Sequence, residues 1–189
     1  MILAAAPLVA AALGLAHPQR LTSDMAGEWL ILHIALLFVF PLVAVGPAVI
    51  VQRAALSNQS PRLLTWCAAG AATLYAVCYS TLDVLAGIGA GVLVGQGFAA
   101  GENDPQILAL QRVAEPFGTI GGAALVCCVA LAGYTTWKAA GRAALAGVLF
   151  SVVGAWGLVE HHVYWPFGTL TMLCLGTGLW MLARCPADR

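Results

Sequence analysis

Charged side chains are scarce in this 189-residue chain. They make up 8% of the residues, against roughly a quarter in soluble domains, while 61% are hydrophobic and the mean hydropathy is +0.91. This composition excludes a water-soluble fold. The net charge is zero and Lys and Arg form no cluster, so the electrostatic footprint of a nucleic-acid binder is missing. We therefore expect membrane lipids and no nucleic acid as partners.

The short motifs that identify common metal and haem sites are also missing. The sequence contains no C-x-x-C, C-x-x-C-H, H-E-x-x-H or H-x-x-x-H pattern. Its six cysteines lie in or beside apolar runs, where cysteine acts as a small hydrophobic residue. They are Cys67, Cys78, Cys127, Cys128, Cys174 and Cys185. Neither a disulfide scaffold nor a thiolate zinc site is expected.

Six apolar runs predict an all-α integral membrane bundle of about six transmembrane helices, in one domain covering residues 1–189. Only helices cross lipid as single unpaired segments. The third run, about 35 residues long, exceeds one perpendicular crossing, so we expect it to tilt or to leave the membrane before residue 97. The predicted spans are 2–16, 27–51, 63–97, 117–137, 143–160 and 166–184. We interpret the first as a retained helix because it lacks a basic leader, and five spans remain if residues 1–16 are a cleaved signal.

Basic residues predict the orientation of the bundle. Arg20 and Arg112 fall on one side of the bundle, and six basic residues fall on the other. Because basic residues concentrate on the cytoplasmic side, the second side should be cytoplasmic. Both termini should lie on that side. The six are Arg53, Arg62, Lys138, Arg142, Arg184 and Arg189. We expect a multi-pass protein of the bacterial cytoplasmic (inner) membrane.

Histidines and carboxylates gather towards the opposite, outer face, where the predicted connections are 17–26, 98–116 and 161–165. Solvated loops account for Asp24, Glu102 and Asp104, and Asp188 alone lies on the cytoplasmic side. An ionisable group inside an apolar span costs several kcal/mol unless it is paired or hydrated. Asp83 and His33 are therefore the first site candidates. The outer connections and the helix ends beside them also contain His17, Glu28, Glu115, Glu160, His161 and His162.

Asp83 lies on a stripe that repeats every four residues and so shares one helix face. Two phenols, Tyr75 and Tyr79, precede it and could supply hydrogen bonds or stabilise a cation through their ring faces. Small residues follow it and favour close helix packing, including an oligomer contact. They are Gly87, Gly91 and Gly95. A purely structural role for the stripe is an alternative.

Two further segments add candidates. Trp29 and His33 are one helical turn apart, with Glu28 at the helix entrance. The segment 156–168 ends one helix and opens the next at Pro166, and it contains Glu160, His161 and His162. Adjacent histidines project about 100° apart on a helix, so the choice between them stays open. Its aromatic residues suit the membrane interface or a pocket wall: Trp156, Tyr164 and Trp165.

The motifs of this chain resemble those of a group of small, uncharacterised bacterial multi-pass membrane proteins. The resemblance covers most of the chain. In that group the last histidine lies closer to the proline, so this sequence departs from the pattern there. The resemblance implies the same helical architecture and no particular activity. Its motifs are His17-Pro18, Trp29-x-x-x-His33, Asp83-x-x-x-Gly87-Ile88-x-x-Gly91-x-Leu93 and His162-x-x-x-Pro166-x-Gly168.

Three functions fit these residues. The first is a membrane-embedded enzyme that acts on a lipid or isoprenoid by acid–base chemistry, such as isomerisation or cyclisation, near the extracytoplasmic face. Its proposed catalytic residues are Asp83, His33, His162, Glu160 and Glu28, and its proposed pocket walls are Trp29, Tyr75, Tyr79, Trp156, Tyr164 and Trp165. No cofactor or metal is favoured for this enzyme. The second function, an alternative, is a haem- or zinc-binding protein that uses His33, Asp83 and His161 or His162. The third is a non-catalytic transporter or accessory subunit.

Overall fold

All regular elements of the chain are helical within residues 2–185, which are the residues that the computed structural model describes. This confirms the predicted all-α class. The extended pairing found in this range is a single bridge between Thr22 and Gly101. The predictions that place Asp188 and Arg189 on the cytoplasmic side fall outside the described residues.

Eight α-helices form six rods. The second rod is nearly continuous and breaks at Ala44, because Pro47 has no N–H to donate to the carbonyl of Val43. The third rod contains a π-helical segment. The elements in order are a 3-10 turn (Ile2–Ala4), α1 (Ala5–Leu15), α2 (Ala26–Val43), α3 (Val45–Leu56), α4 (Arg62–Leu82), the π-helical segment (Asp83–Gly89), α5 (Ala90–Gly95), α6 (Pro105–Ala140), a 3-10 turn (Gly141–Ala144), α7 (Leu145–His161) and α8 (Phe167–Arg184).

Three segments of this range are long and apolar enough to cross a membrane: Ala26–Leu56, Arg62–Gly95 and Pro105–His161. The last of them reverses direction at Gly141, whose φ of 56° is a conformation that glycine adopts readily. Gly133 packs on Val148 and Gly122 packs on Val159, so α6 and α7 run antiparallel as a hairpin.

Consecutive rods run antiparallel, as do the first and sixth, and glycines mark several of the close contacts between them. Gly91 packs on Trp29, Gly118 on Leu82, Gly147 on Leu182 and Gly176 on Leu8. The connections 16–25, 96–104 and 162–166 therefore meet at one end of the bundle, which we call the site end. The turns 57–61 and 141–144 lie at the other end.

Large apolar side chains cover much of the outside of the bundle. Ile31, Phe38 and Trp66 are each more than 70% exposed. Water-soluble monomers rarely present such a continuous apolar surface. Inside, Phe40, Tyr75 and Leu125 belong to the buried core. The outer surface is compatible with contact to lipid.

The predicted boundaries of the fourth span need correction. Residues 105–116, which we expected in a connection, form the first turns of α6. Asp104 caps this helix by accepting a hydrogen bond from the Gln106 N–H at 2.9 Å, and Pro105 occupies the first turn. At 36 residues, α6 is about 54 Å long and exceeds the roughly 30 Å hydrocarbon core. It extends beyond the end of α7 at the site end.

The glycine stripe of the third rod packs against α2 of the same chain. Gly87 lies on the His33 ring, Gly91 on Trp29 and Gly95 on Ala26. Gly87 and Gly91 are buried by these contacts with α2. These contacts agree with the close helix packing that the small residues predict, and an oligomer contact through the same stripe stays a prediction.

Candidate functional site

The π-helical segment Asp83–Gly89 holds the central carboxylate of the site. Single π-helical turns inside α-helices occur frequently at functional sites. The Trp29 indole N–H donates a hydrogen bond to the carbonyl of Gly87 at 2.9 Å, which ties α2 to this segment. Asp83 consequently faces the helix that carries His33.

Asp83 and His33 form a buried pair without a direct hydrogen bond. They are 1% and 2% exposed, and His33 Nε2 lies 4.0 Å from Asp83 Oδ1. His33 Nδ1 lies 2.8 Å from the Trp29 carbonyl oxygen, which can only accept, so Nδ1 carries a proton. In the neutral ring the lone pair is then on Nε2, on the side of Asp83. Both oxygens of Asp83 are buried and have no hydrogen-bond partner.

His162 supplies the third polar group from the end of α7. Its φ of 49° is uncommon for a residue with a side chain and costs about 1–3 kcal/mol, a strain that often marks functional positions. Its Nδ1 lies 2.7 Å from the Tyr79 hydroxyl, and the two rings stack. His33, Asp83 and His162 each offer one potential ligand atom. These three atoms lie within 4.8 Å of one another.

Burial keeps His162 neutral at physiological pH. Desolvation is the main cause that lowers the pKa of His162 to about 3, and repulsion by His33 and His17 adds to it. A neutral imidazole is the form that binds a metal ion.

His17, which the sequence places in the first outer connection, is part of this cluster. It is 4% exposed, and its ring packs edge-on against His33, Trp29 and Tyr164. Its Nδ1 donates to the Pro18 carbonyl at 2.7 Å, and its Nε2 is buried without a partner. Burial, as the largest cause, lowers the pKa of His17 to about 4. The sequence signal for it was the His17-Pro18 pair at the site end.

A cavity of about 590 Å³ opens onto these residues, a volume in the range of small-molecule sites. His33, Asp83 and His162 line it together with Tyr79. The rest of the cavity wall contains both apolar and polar side chains. Apolar contacts come from Leu82, Ala86, Leu158 and Val159, and exposed residues at the mouth are Gln111, Glu115, Thr119, Glu160 and His161.

The structure separates the predicted site residues into three groups. Those brought together in the cavity wall are His33, Asp83, His162, Tyr79, Trp29 and Tyr164. Glu160 and His161 are exposed at the mouth, and the His161 ring packs near Phe167 rather than beside Asp83. The residues that do not line the cavity are Glu28, Trp156 and Trp165, all exposed, and Tyr75, which is buried behind Tyr79.

The geometry suits a metal ion better than a haem. Two imidazoles and a carboxylate that converge from three elements match a three-ligand catalytic zinc site, which keeps a fourth position for water. When two histidines ligate a haem from opposite sides, the porphyrin ring fills the space between them. Here a carboxylate oxygen of Asp83 lies within 4.8 Å of a ring nitrogen of each histidine, so a porphyrin between the two rings would have to displace it.

No protein-family model, curated protein or solved structure matches this chain.

Proposed function

We propose that the chain is a six-span protein of the bacterial cytoplasmic membrane, with both termini in the cytoplasm and the site end facing outward. The antiparallel rods and the apolar exposed surface support this arrangement. The basic residues support the orientation, because Arg53, Arg62, Lys138 and Arg142 lie near the turns opposite the site end.

We further propose that His33, Asp83 and His162 bind a divalent metal ion of the zinc class. The observation that carries this proposal is the Asp83 carboxylate, whose two oxygens are buried without a partner beside two imidazoles. A buried charge without a partner costs several kcal/mol, and a bound cation removes that cost. Imidazole and carboxylate are both common zinc ligands.

Neighbouring residues would orient the two imidazole ligands. The Trp29 carbonyl accepts from His33 Nδ1, and the Tyr79 hydroxyl pairs with His162 Nδ1. Such outer contacts fix the ring orientation and leave the other nitrogen for the metal. In both histidines that other nitrogen is Nε2.

The protein would then be a metal-dependent enzyme that hydrolyses a lipophilic substrate. Zinc supplies a Lewis acid and lowers the pKa of its bound water to near neutrality. The chain supplies a cavity whose apolar wall includes Leu82, Leu158 and Val159, reached from an open mouth. An amphiphile can place its polar end near Asp83 while its tail follows the apolar wall.

Acid–base chemistry without a metal is the second candidate. Asp83 and His33 are 4.0 Å apart, close enough for a small shift to make them a proton-transfer pair, and Tyr79 borders the same cavity. In this version Asp83 would protonate an isoprenoid. A proton-coupled carrier is less favoured, because the buried histidines and carboxylates among residues 2–185, namely His17, His33 and Asp83, all lie at the site end.

Metal analysis distinguishes the two candidates. We would measure metal content and absorption spectra of detergent-purified wild type, His33→Ala, Asp83→Asn and His162→Ala, with His161→Ala as the matched control. The proposal predicts one metal ion per chain in the wild type and His161→Ala, with loss in the other three. A folded wild type that takes up no added zinc would reject the metal site and leave acid–base chemistry to be tested.

A further inference from the structure

The mouth of the cavity has a charge pattern that the metal site does not explain. Glu115 of α6 and Glu160 of α7 flank it from two different helices, and both are exposed. Among the described residues that line the cavity there is no Lys or Arg. Arg112 is close in sequence to Glu115 but is not part of the wall.

The two carboxylates lie close to the metal ligands along the bundle axis. Gly118 packs on Leu82, the neighbour of Asp83, so Gly118 and Asp83 are at similar heights. Glu115 precedes Gly118 by three residues, which is about 4.5 Å along a helix. Glu160 precedes His162 by two residues. Along the bundle axis, each carboxylate is therefore within about one helical turn of one of the proposed metal ligands.

The interior of the same cavity independently indicates a ligand. The Asp83 carboxylate, whose side chain is fully buried, faces the cavity without a hydrogen-bond partner. Below the mouth the wall continues with the apolar side chains of Leu82, Leu158 and Val159. The cavity thus combines an acidic mouth with an apolar wall, and its reactive groups lie near the acidic part.

On the basis of the proposed metal site, we propose that the substrate is an amphiphile with a cationic head group. Glu115 and Glu160 would bind the cation, the tail would follow Leu82 and Val159, and the reacting bond would be next to the head group. Hydrolysis would break that bond: the oxygen of water would bond to one of its two atoms, and a proton of water would go to the other atom, which leaves. Anionic head groups would be disfavoured, because among the described residues the cavity lining presents two exposed carboxylates and neither lysine nor arginine.

A spin-labelled probe can test head-group selection directly. We would load the purified protein with cobalt or zinc in phosphatidylcholine nanodiscs and titrate it with a dodecyl ammonium nitroxide. A dodecyl phosphate nitroxide is the anionic counterpart. The immobilised EPR fraction gives Kd, and extra relaxation with cobalt relative to zinc shows that the head group is near the metal. The variants are the double substitution Glu115→Gln/Glu160→Gln and the control Asp24→Asn, which removes an exposed charge outside the cavity.

We expect the ammonium probe to bind wild type and Asp24→Asn equally and the double variant about five- to tenfold more weakly, as for two partly screened ion pairs. Unchanged binding in the double variant, or equal binding of the phosphate probe, would overturn the inference. Metal content measured on the same samples separates the two proposals. If the protein binds no cobalt but still selects the ammonium probe through Glu115 and Glu160, the metal site fails and head-group recognition stands.

Discussion

Gly87 lies directly against the imidazole of His33, and a Cβ at this position would overlap three atoms of the ring. The absence of a side chain at residue 87 therefore permits His33 to face Asp83. The same glycine accepts the Trp29 indole hydrogen bond through its carbonyl. One residue thus fixes the ring position and the spacing between α2 and the π-helical segment.

Substituting this glycine should damage the site more than the fold. We predict that Gly87→Ala displaces the His33 ring and weakens zinc binding at least tenfold, because ligand orientation controls affinity. Gly70→Ala is the control, since a Cβ there meets nothing within 4 Å and alanine favours a helix by up to about 1 kcal/mol. Zinc affinity measured by competition with a chelator checks this. Equal affinity in both variants would contradict the role of Gly87.

The Tyr79 hydroxyl is predicted to position His162. Tyr79→Phe keeps the stacked ring but removes the partner of His162 Nδ1, so we expect zinc affinity to fall about 10- to 100-fold. Tyr134→Phe, at an exposed tyrosine, provides the comparison. A histidine NMR spectrum should show a changed His162 tautomer population in the first variant alone. Wild-type affinity in Tyr79→Phe would assign the tyrosine a packing role.

The buried histidines make stability depend on pH. In the folded protein the pKa values of His17 and His162 are lowered to about 4 and about 3, whereas unfolded histidine has a pKa of about 6.5. Below pH 6.5 the unfolded chain therefore binds more protons than the folded one, and stability falls as pH decreases towards 4. Above pH 6.5 the contribution of these two residues is constant.

Thermal unfolding of the metal-free protein between pH 8 and pH 4.5 measures this effect. The unfolding midpoint should drop on the acidic side, and His17→Asn should show a shallower drop because one buried imidazole is gone. His161→Asn, at an exposed histidine, should follow the wild type. If His17→Asn had the same acid sensitivity as the wild type, His17 would not be held neutral by burial.

The cap of α6 offers a test of the fold alone. Asp104 Oδ1 accepts from the Gln106 N–H and Oδ2 from the Ala100 N–H, at 2.9 and 3.1 Å. We predict that Asp104→Ala destabilises the protein by about 1 kcal/mol and leaves zinc affinity unchanged. Asp24→Asn serves as an exposed reference for both measurements. If Asp104→Ala lost zinc, the start of α6 would contribute to the metal site and this prediction would be wrong.

Several features of the fold could be predicted from sequence because lipid imposes simple rules. Apolar runs gave the helices, and the cost of an ionisable group in an apolar span singled out Asp83 and His33, which the structure brings together. The start of α6 was predicted wrongly because charges at 102–115 suggested a connection. The Asp104-Pro105 pair was the capping signal that indicated a helix instead.

Other features depend on tertiary placement that sequence patterns do not contain. Glu28 precedes His33 by five residues, so it projects about 140° away and is exposed. The choice of His162 over His161 depends on the backbone turn that ends α7, where φ becomes positive. His17 was missed because the path of the connection 16–25 over Trp29 is set by packing and not by periodicity.

X-ray absorption at the metal edge tests the central claim most directly. The account predicts that the zinc-loaded wild type shows two imidazole nitrogens and one or two oxygens at about 2.0–2.2 Å, and that His33→Ala and His162→Ala each retain one imidazole. A spectrum without imidazole scattering, or one that is identical in the wild type and the two histidine variants, would contradict the site formed by His33, Asp83 and His162.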